Sequence, residues 1–161
     1  MKTENLIEEA ISIIGDTTPM NFDCGTMCQR ACCVSEGYMM VFPYEMPMLQ
    51  NKNYIFKKAD LISYGKIDVV TCDGTCDRNS RPFSCRIYPL APKFIDDEIF
   101  VRLDVRGRPT CPLCHKSMSS LNKVFIEKVK KAFIHLSKDS EMKQFLKAIS
   151  NHVDMYAVPF I

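Results

Sequence analysis

The chain has 161 residues, 47% apolar and 25% charged, the make-up of a folded domain and not of a disordered segment. Its 21 basic and 19 acidic residues leave a formal charge of +2, too even a balance for the one-signed face that binds nucleic acid. Glu4, Glu8 and Glu9 interrupt the apolar stretch a secretory signal needs, and no run approaches the ~18 apolar residues of a membrane span, so a cytoplasmic location with reduced thiols is expected.

Residues 3–15 are expected to form an amphipathic helix. Leu6, Ile7, Ala10, Ile11 and Ile14 recur at helical spacing, Thr3 can cap the start and Gly15 marks the stop. Residues 20–38 carry four cysteines. Residues 38–42 read as a short strand ended by Pro43, Pro47 interrupts the next stretch, and 51–63 is helix or irregular. Residues 66–71 form a plausible strand, and 77–82 lack apolar periodicity and read as loop. Residues 86–90 and 93–95 are extended candidates. Asp96-Asp97 is a turn into a strand at 98–105, where Ile99, Val101, Leu103 and Val105 alternate with more polar residues.

From Ser117 to His135 the apolar positions keep a helical rhythm with lysines opposite, and Asp139 is expected to cap a second helix. That helix would present Met142, Phe145, Leu146, Ile149 and Val153 on one side. Both helices are expected to pack over the cysteine-bearing part. The fold expected is α+β, a single domain over 1–161. It would have an N-terminal helix in 1–19, a loop-rich, metal-binding cysteine-cluster core with short strands in 20–114, and a helical part in 115–161.

Nine cysteines set this chain apart: Cys24, Cys28, Cys32 and Cys33 in one burst, then Cys72, Cys76 and Cys85, then Cys111-Pro112-Leu113-Cys114. Thiolates gathered in this way pair with each other or hold a soft metal or an iron–sulfur cluster. An odd count leaves a thiol over in any disulfide scheme, and the expected compartment is reducing, which favours metal. On a helix Cys28 and Cys32 share a face and can reach one ion. Cys24 and Cys32 would stand ~12 Å apart on a continuous helix, whereas thiolates on one zinc lie within ~5 Å of each other. Either Gly25 breaks the helix or the two serve different centres. Cys33 points ~100° away from Cys32 and serves a second centre or the core.

Gly74 suits a tight turn bringing Cys72 and Cys76 to one side. The two-residue gap between Cys111 and Cys114 is that of a metal-binding knuckle, stiffened by Pro112. Donors that are all sulfur favour Zn²⁺ or an iron–sulfur cluster over harder ions. Eight such thiolates suit two four-ligand centres, or one cluster with redox thiols left over.

Arg81 and Arg86 flank Cys85, where a guanidinium can neutralise a metal–thiolate centre or contact an anionic cofactor or partner; otherwise they are surface arginines. Phe83 and Tyr88 read as core. His115, next to Cys114, is open as a ligand, while His135 and His152 show no evident carboxylate or ligand partner. Asp73 and Asp77, beside the middle cysteines, could act as acid or base. Most of the ten methionines belong in the core, and those within 39–48 could add a soft, adaptable surface.

The segment Arg81-Pro82-Phe83-Ser84-Cys85-Arg86-Ile87-Tyr88-Pro89, with the upstream burst, resembles the CxxCxxCC-type zinc- or iron-chelating family, also called YkgJ-type cysteine-cluster proteins. That family shows a burst ending in Cys-Cys, a further pair, an R-P-x-x-C-R-x-x-P segment and a Cys-Pro. The resemblance implies metal ligation by Cys24, Cys28, Cys32, Cys33, Cys72, Cys76, Cys85 and Cys111, and spans roughly residues 22–112. The burst here has three-residue gaps where the family name has two, and Cys114 lies outside the pattern. The function expected is chelation of zinc or an iron–sulfur cluster. The alternatives are an iron–sulfur oxidoreductase or cluster-assisted modifying enzyme, and a metal-stabilised module that binds a protein partner. Metal ions are the expected partners; nucleic acid and membrane are not.

Overall fold

The computed structural model describes residues 5–21, 38–50, 54–71 and 78–157. Helix α1, Leu6–Ile14, buries Leu6, Ile7, Ala10 and Ile14 and carries Glu8 and Glu9 in its first turn, where the helix dipole favours negative charge. It stops at Gly15, whose φ of +58° is open to a residue without Cβ. The stop is therefore where the sequence sets it. The expected cap, Thr3, lies outside the described residues.

Strand β1, Met39–Met40, is followed by a short helix α2, Met46–Leu49, with Pro47 in its first turn. There the missing N–H has no helical partner to lose, so Pro47 helps to start an element and does not interrupt one. Strand β2, Ile55–Leu61, takes the place of the helix or irregular stretch expected at 51–63. It pairs antiparallel with β3, Gly65–Thr71, from Ile55 opposite Thr71 to Leu61 opposite Gly65. The opposed pairs Lys58–Asp68 and Asp60–Lys66 are also ion pairs, at 2.6 and 2.9 Å. β1 lies on the far side of β3, giving the order β1-β3-β2.

The extended stretch expected at 86–90 is corrected: α3, Phe83–Ile87, is a single helical turn entered through Pro82. A turn this short shows no periodicity a sequence window can register. Strand β4, Leu90–Ile95, turns through Asp96-Asp97 into β5, Glu98–Leu103. Val105 leaves the strand for a 3₁₀ turn, Val105–Gly107, because the Asp104 carboxylate caps it by accepting the Arg106 N–H at 3.0 Å.

Helix α4, Lys123–Leu136, starts later than expected. Asn122 is its cap, its side-chain oxygen accepting the Val124 N–H at 3.1 Å, and the residues after Ser117 form a 3₁₀ turn, Met118–Ser120. Helix α5, Ser140–Ala157, has the expected Asp139 at its start, accepting the Met142 N–H at 2.9 Å. The architecture is α+β, with the N-terminal helix and two C-terminal helices that the sequence implies.

α1 packs on α4, and α4 and α5 cover the β4–β5 hairpin, so the C-terminal helices do lie over the preceding part. His135 has a carboxylate partner after all: its Nε2 lies 2.6 Å from Glu9 Oε2 and fastens α4 to α1. Asp154 on α5 receives Lys93 at 2.8 Å and Arg102 at 2.5 Å from the two hairpin strands. The Tyr64 hydroxyl donates to Glu141 at 3.0 Å and joins the β2–β3 turn to α5.

Phe42 sits at the centre of the packing. Its ring meets Phe83 and Phe145 edge-on, at centroid distances of 4.8 and 4.9 Å. This stack joins the end of β1, the start of α3 and α5. Phe83 is completely buried, as its core assignment requires. Phe83→Ala is expected to cost about 3–5 kcal/mol in denaturant unfolding; a loss below about 1 kcal/mol would show that the site collapses without the ring.

Candidate functional site

Cys85 lies on α3, and three contacts fix that single turn. Glu45, 1% exposed, accepts the Phe83 N–H at 2.5 Å through Oε1 and the Phe42 N–H at 2.9 Å through Oε2. One carboxylate thus caps α3 and the turn after β1 together, satisfying two backbone donors that have no helical or sheet partner. The Ser84 hydroxyl donates to the Met40 carbonyl. The Arg86 guanidinium donates from Nε to the Arg81 carbonyl and from Nη2 to the Asn79 carbonyl, both at 3.0 Å, and gathers the preceding loop.

Burial pushes the Glu45 carboxyl up to about 7, against the two backbone N–H groups and the Arg86 charge, which all favour ionisation. Arg86 is held below its ordinary value, first by burial and then by the charge of Arg81; Glu45 and Cys85 oppose this. The Arg86 guanidinium thus lies within charge range of both Arg81 and the half-buried Cys85 thiol. Glu45 was not legible as a functional residue, since its partners at Phe42 and Phe83 are set by the tertiary fold.

Residues from α1, β1, β3, α3, β4 and α5 line a cavity of about 440 Å³, within the usual size for a small-molecule site. Cys85, Arg81 and Arg86 line it, and so do Arg106, His152 and Tyr156. Thr71, directly before Cys72, and Tyr38, directly after residues 22–37, also line it. Arg106 pairs with Asp104 at 2.7 Å and reaches His152 Nδ1 at 3.1 Å. Burial, then the Arg106 charge, hold His152 below its ordinary value, so the neutral ring is favoured. Asp104 and Arg106 share one turn, but His152 joins them from α5, 46 residues on, which leaves no sequence signal.

Cys111 and Cys114 do not themselves line the cavity, but their neighbours Tyr88, Gly107 and Thr110 do. Both are buried free thiols on a 3₁₀ turn, Pro112–His115, with Cys111 at its cap position. The Cys114 thiol hydrogen-bonds Cys111 and, with the Leu113 and Cys114 backbone N–H groups and nearby His115, holds Cys111 below its ordinary value, with burial opposing. Cys114 is pushed up by the same bond, by burial and by the charges of Cys111 and Asp104; a Tyr88 hydroxyl hydrogen bond opposes this. Tyr88 is half-buried, its ring against the core and its hydroxyl turned to sulfur.

Gly107 makes room for this contact. A Cβ there would lie 2.3 Å from the Tyr88 hydroxyl oxygen and 2.8 Å from Cys114 Sγ. Gly107→Ala should therefore destabilise the protein by about 1–3 kcal/mol in urea unfolding; an unchanged midpoint would mean that the turn shifts freely.

Of the expected metal ligands, Cys85 and Cys111 are described, and Cys24, Cys28, Cys32, Cys33, Cys72 and Cys76 lie outside the described residues, as do Asp73 and Asp77. Among the described residues no three of His, Cys, Asp and Glu are grouped as a metal site. His115 is exposed, its Nε2 lying 2.8 Å from the Arg108 carbonyl oxygen. No helix among the described residues is long and apolar enough to cross a membrane. No family model, curated protein or solved structure matches the chain.

Proposed function

We propose that this is a metal-chelating protein of the cytoplasm whose thiolates hold zinc or an iron–sulfur cluster at the Cys85 cavity. Cys24, Cys28, Cys32, Cys33, Cys72 and Cys76 join Cys85 as donors. Cys111 is the eighth donor; it directly follows Thr110, which lines the same cavity. Soft sulfur donors suit these metals, and no harder ion.

The observation that carries this reading is that Arg81, Cys85 and Arg86 line one cavity. Arg81 and Arg86 oppose each other's charge in a half-buried position, and an anionic metal–thiolate centre relieves that repulsion. Their role at the cofactor is charge balance. The connectivity agrees, since the chain enters 72–77 and leaves 22–37 at residues that line the same cavity.

Metal analysis by mass spectrometry on protein prepared without oxygen tests this. Stoichiometric zinc or iron is expected, and Cys85→Ser should lower the metal-to-protein ratio. Brown protein with broad absorbance near ~400 nm would identify an iron–sulfur centre and favour the redox-enzyme alternative. Colourless protein with zinc would identify a thiolate zinc site, structural if four sulfurs close it. Folded protein with neither metal overturns the proposal.

A further inference from the structure

We propose that His152 binds a small organic carboxylate with an apolar body, donating from its Nε2–H to a carboxylate oxygen inside the cavity. The ligand shares that cavity with the proposed metal centre, but its contacts rest on residues other than the thiolates.

One face of α5 turns to the cavity. Ile149, His152 and Tyr156 all line it, at spacings of three and four residues that fall on one side of a helix. The His152 and Tyr156 rings meet at a centroid distance of 5.3 Å and an interplanar angle of 89°, so Tyr156 supports the imidazole from one turn further along.

The neighbour of His152 fixes which nitrogen carries the proton. Arg106 Nη1 lies 3.1 Å from His152 Nδ1. A guanidinium has donors and no acceptor, so Nδ1 accepts and the proton of the neutral ring sits on Nε2. Arg106 is itself locked, because its Nε and Nη2 donate to the two oxygens of the buried Asp104 at 2.9 and 2.7 Å. Nε2 makes no hydrogen bond among the described residues, and it is not sealed into the core. A largely buried ion pair, costly to desolvate, thus holds one N–H in a set orientation at the cavity wall. Arg106 and Asp104 are positioning residues, and His152 is the one that touches the ligand.

The walls select the ligand. An N–H donor calls for an acceptor oxygen. Among the described lining residues Arg81, Arg86 and Arg106 outnumber Asp16 and Asp104, which favours a negative charge on the ligand. Asp104 already fills the Arg106 fork, so the bidentate grip that suits phosphate is taken, and a single N–H beside it suits a carboxylate. Phe42, Ile87, Leu90 and Ile149 supply apolar wall for the ligand body, and Tyr38 and Tyr156, each 57% exposed, carry the lining out to solvent.

Benzoate is the probe, titrated into full-length protein prepared without oxygen and followed by proton–nitrogen correlation spectra of the histidine rings. The signals lost in His152→Phe identify His152. Before any ligand is added, the wild type near neutral pH should show this ring protonated on Nε2; protonation on Nδ1 instead, or on both nitrogens, overturns the proposal without recourse to a variant. Benzoate should then shift the His152 signals with a dissociation constant in the millimolar range. Its neutral analogue benzamide should bind about tenfold more weakly, and cationic benzylamine should not compete. His152→Phe keeps a ring against Tyr156 and removes the donor, so it should weaken benzoate about ten- to a hundredfold, the worth of a hydrogen bond to a charged group. His152→Gln, which retains an N–H donor, should recover most of that loss.

Both variants should keep the wild-type metal-to-protein ratio. Protein that holds metal but shows no benzoate shift at His152 overturns this site and leaves the metal reading intact. A benzoate shift in folded protein that holds no metal supports this site and overturns the metal reading. Equal benzoate affinity in wild type and folded His152→Phe overturns the donor role, and loss of metal in folded His152→Phe overturns it too, since His152 would then serve the centre. Benzamide binding as tightly as benzoate overturns the preference for a carboxylate.

Discussion

Stripping the proposed metal from protein prepared without oxygen is expected to lower the thermal midpoint by about 10 °C or more and to broaden the transition. Unfolded chain does not present a formed thiolate site, so binding free energy adds to folding free energy, about 10–16 kcal/mol for structural zinc in small peptides. A loss of only about 4 kcal/mol would already shift the midpoint by about 10 °C in a chain of this length. The loss should not be uniform. The apolar cluster that joins α1, α4, α5 and the β4–β5 hairpin is built from side chains such as Ile7, Phe125, Phe133 and Leu146, which need no metal to pack. The β1–β3 sheet and α3 depend more on the Cys85 region, and reach the main core through Phe42, Phe83 and Tyr64. Hydrogen exchange after chelation should therefore quicken first at 39–40, 65–71 and 83–87, and least in α4 and α5. An unchanged midpoint with unchanged exchange at those positions would remove the metal from any account of this fold.

How far the sequence could be read depended on how local the deciding contacts are. α4 and α5 were legible because Phe125, Val129, Phe133 and their equivalents in α5 repeat one face over several turns, and Asp139 caps within reach of its own helix. β2 was not. Among the described residues it is an edge strand, and its exposed Lys57, Lys58 and Asp60 dilute the alternation. α3 was missed because one turn carries no period, and because its cap, Glu45, comes from 38 residues away. The His135–Glu9 contact spans 126 residues and leaves no trace in either neighbourhood. The two described sites separate in the same way. The Cys111–Cys114 knuckle is visible as spacing, but that Cys114 leans on Tyr88 over Gly107 is a tertiary fact. Arg81 and Arg86 were singled out by their place beside Cys85; their mutual repulsion and their shared loop contact appear only in the fold.

The contribution of Glu45 to stability is expected to fall as pH rises from about 4.5 to about 7, and to stay flat above that. The sign comes from the proton count. The folded protein holds the Glu45 proton up to about 7, whereas the unfolded chain releases it near the ordinary 4.5, so folding binds a proton in this window. At about 1.4 kcal/mol per pH unit the fall amounts to roughly 3 kcal/mol. Other groups run the opposite way. His152 and Cys111 lose protons more readily in the folded state, so their contributions grow with pH. The raw stability profile therefore mixes signs, and the difference between wild type and Glu45→Gln isolates the carboxyl. Gln presents one oxygen to the two donors at Phe42 and Phe83, leaving one buried N–H without an acceptor, about 1–3 kcal/mol. At pH 5 the variant should thus be less stable than wild type by about that amount. By pH 8 the wild type has lost what burial of its charge costs, and the two should converge or cross. Urea unfolding at four or five pH values across this range measures the difference directly. A difference that does not change with pH would mean that the Glu45 carboxyl stays ionised in the folded protein, held by its two backbone donors and Arg86 despite burial.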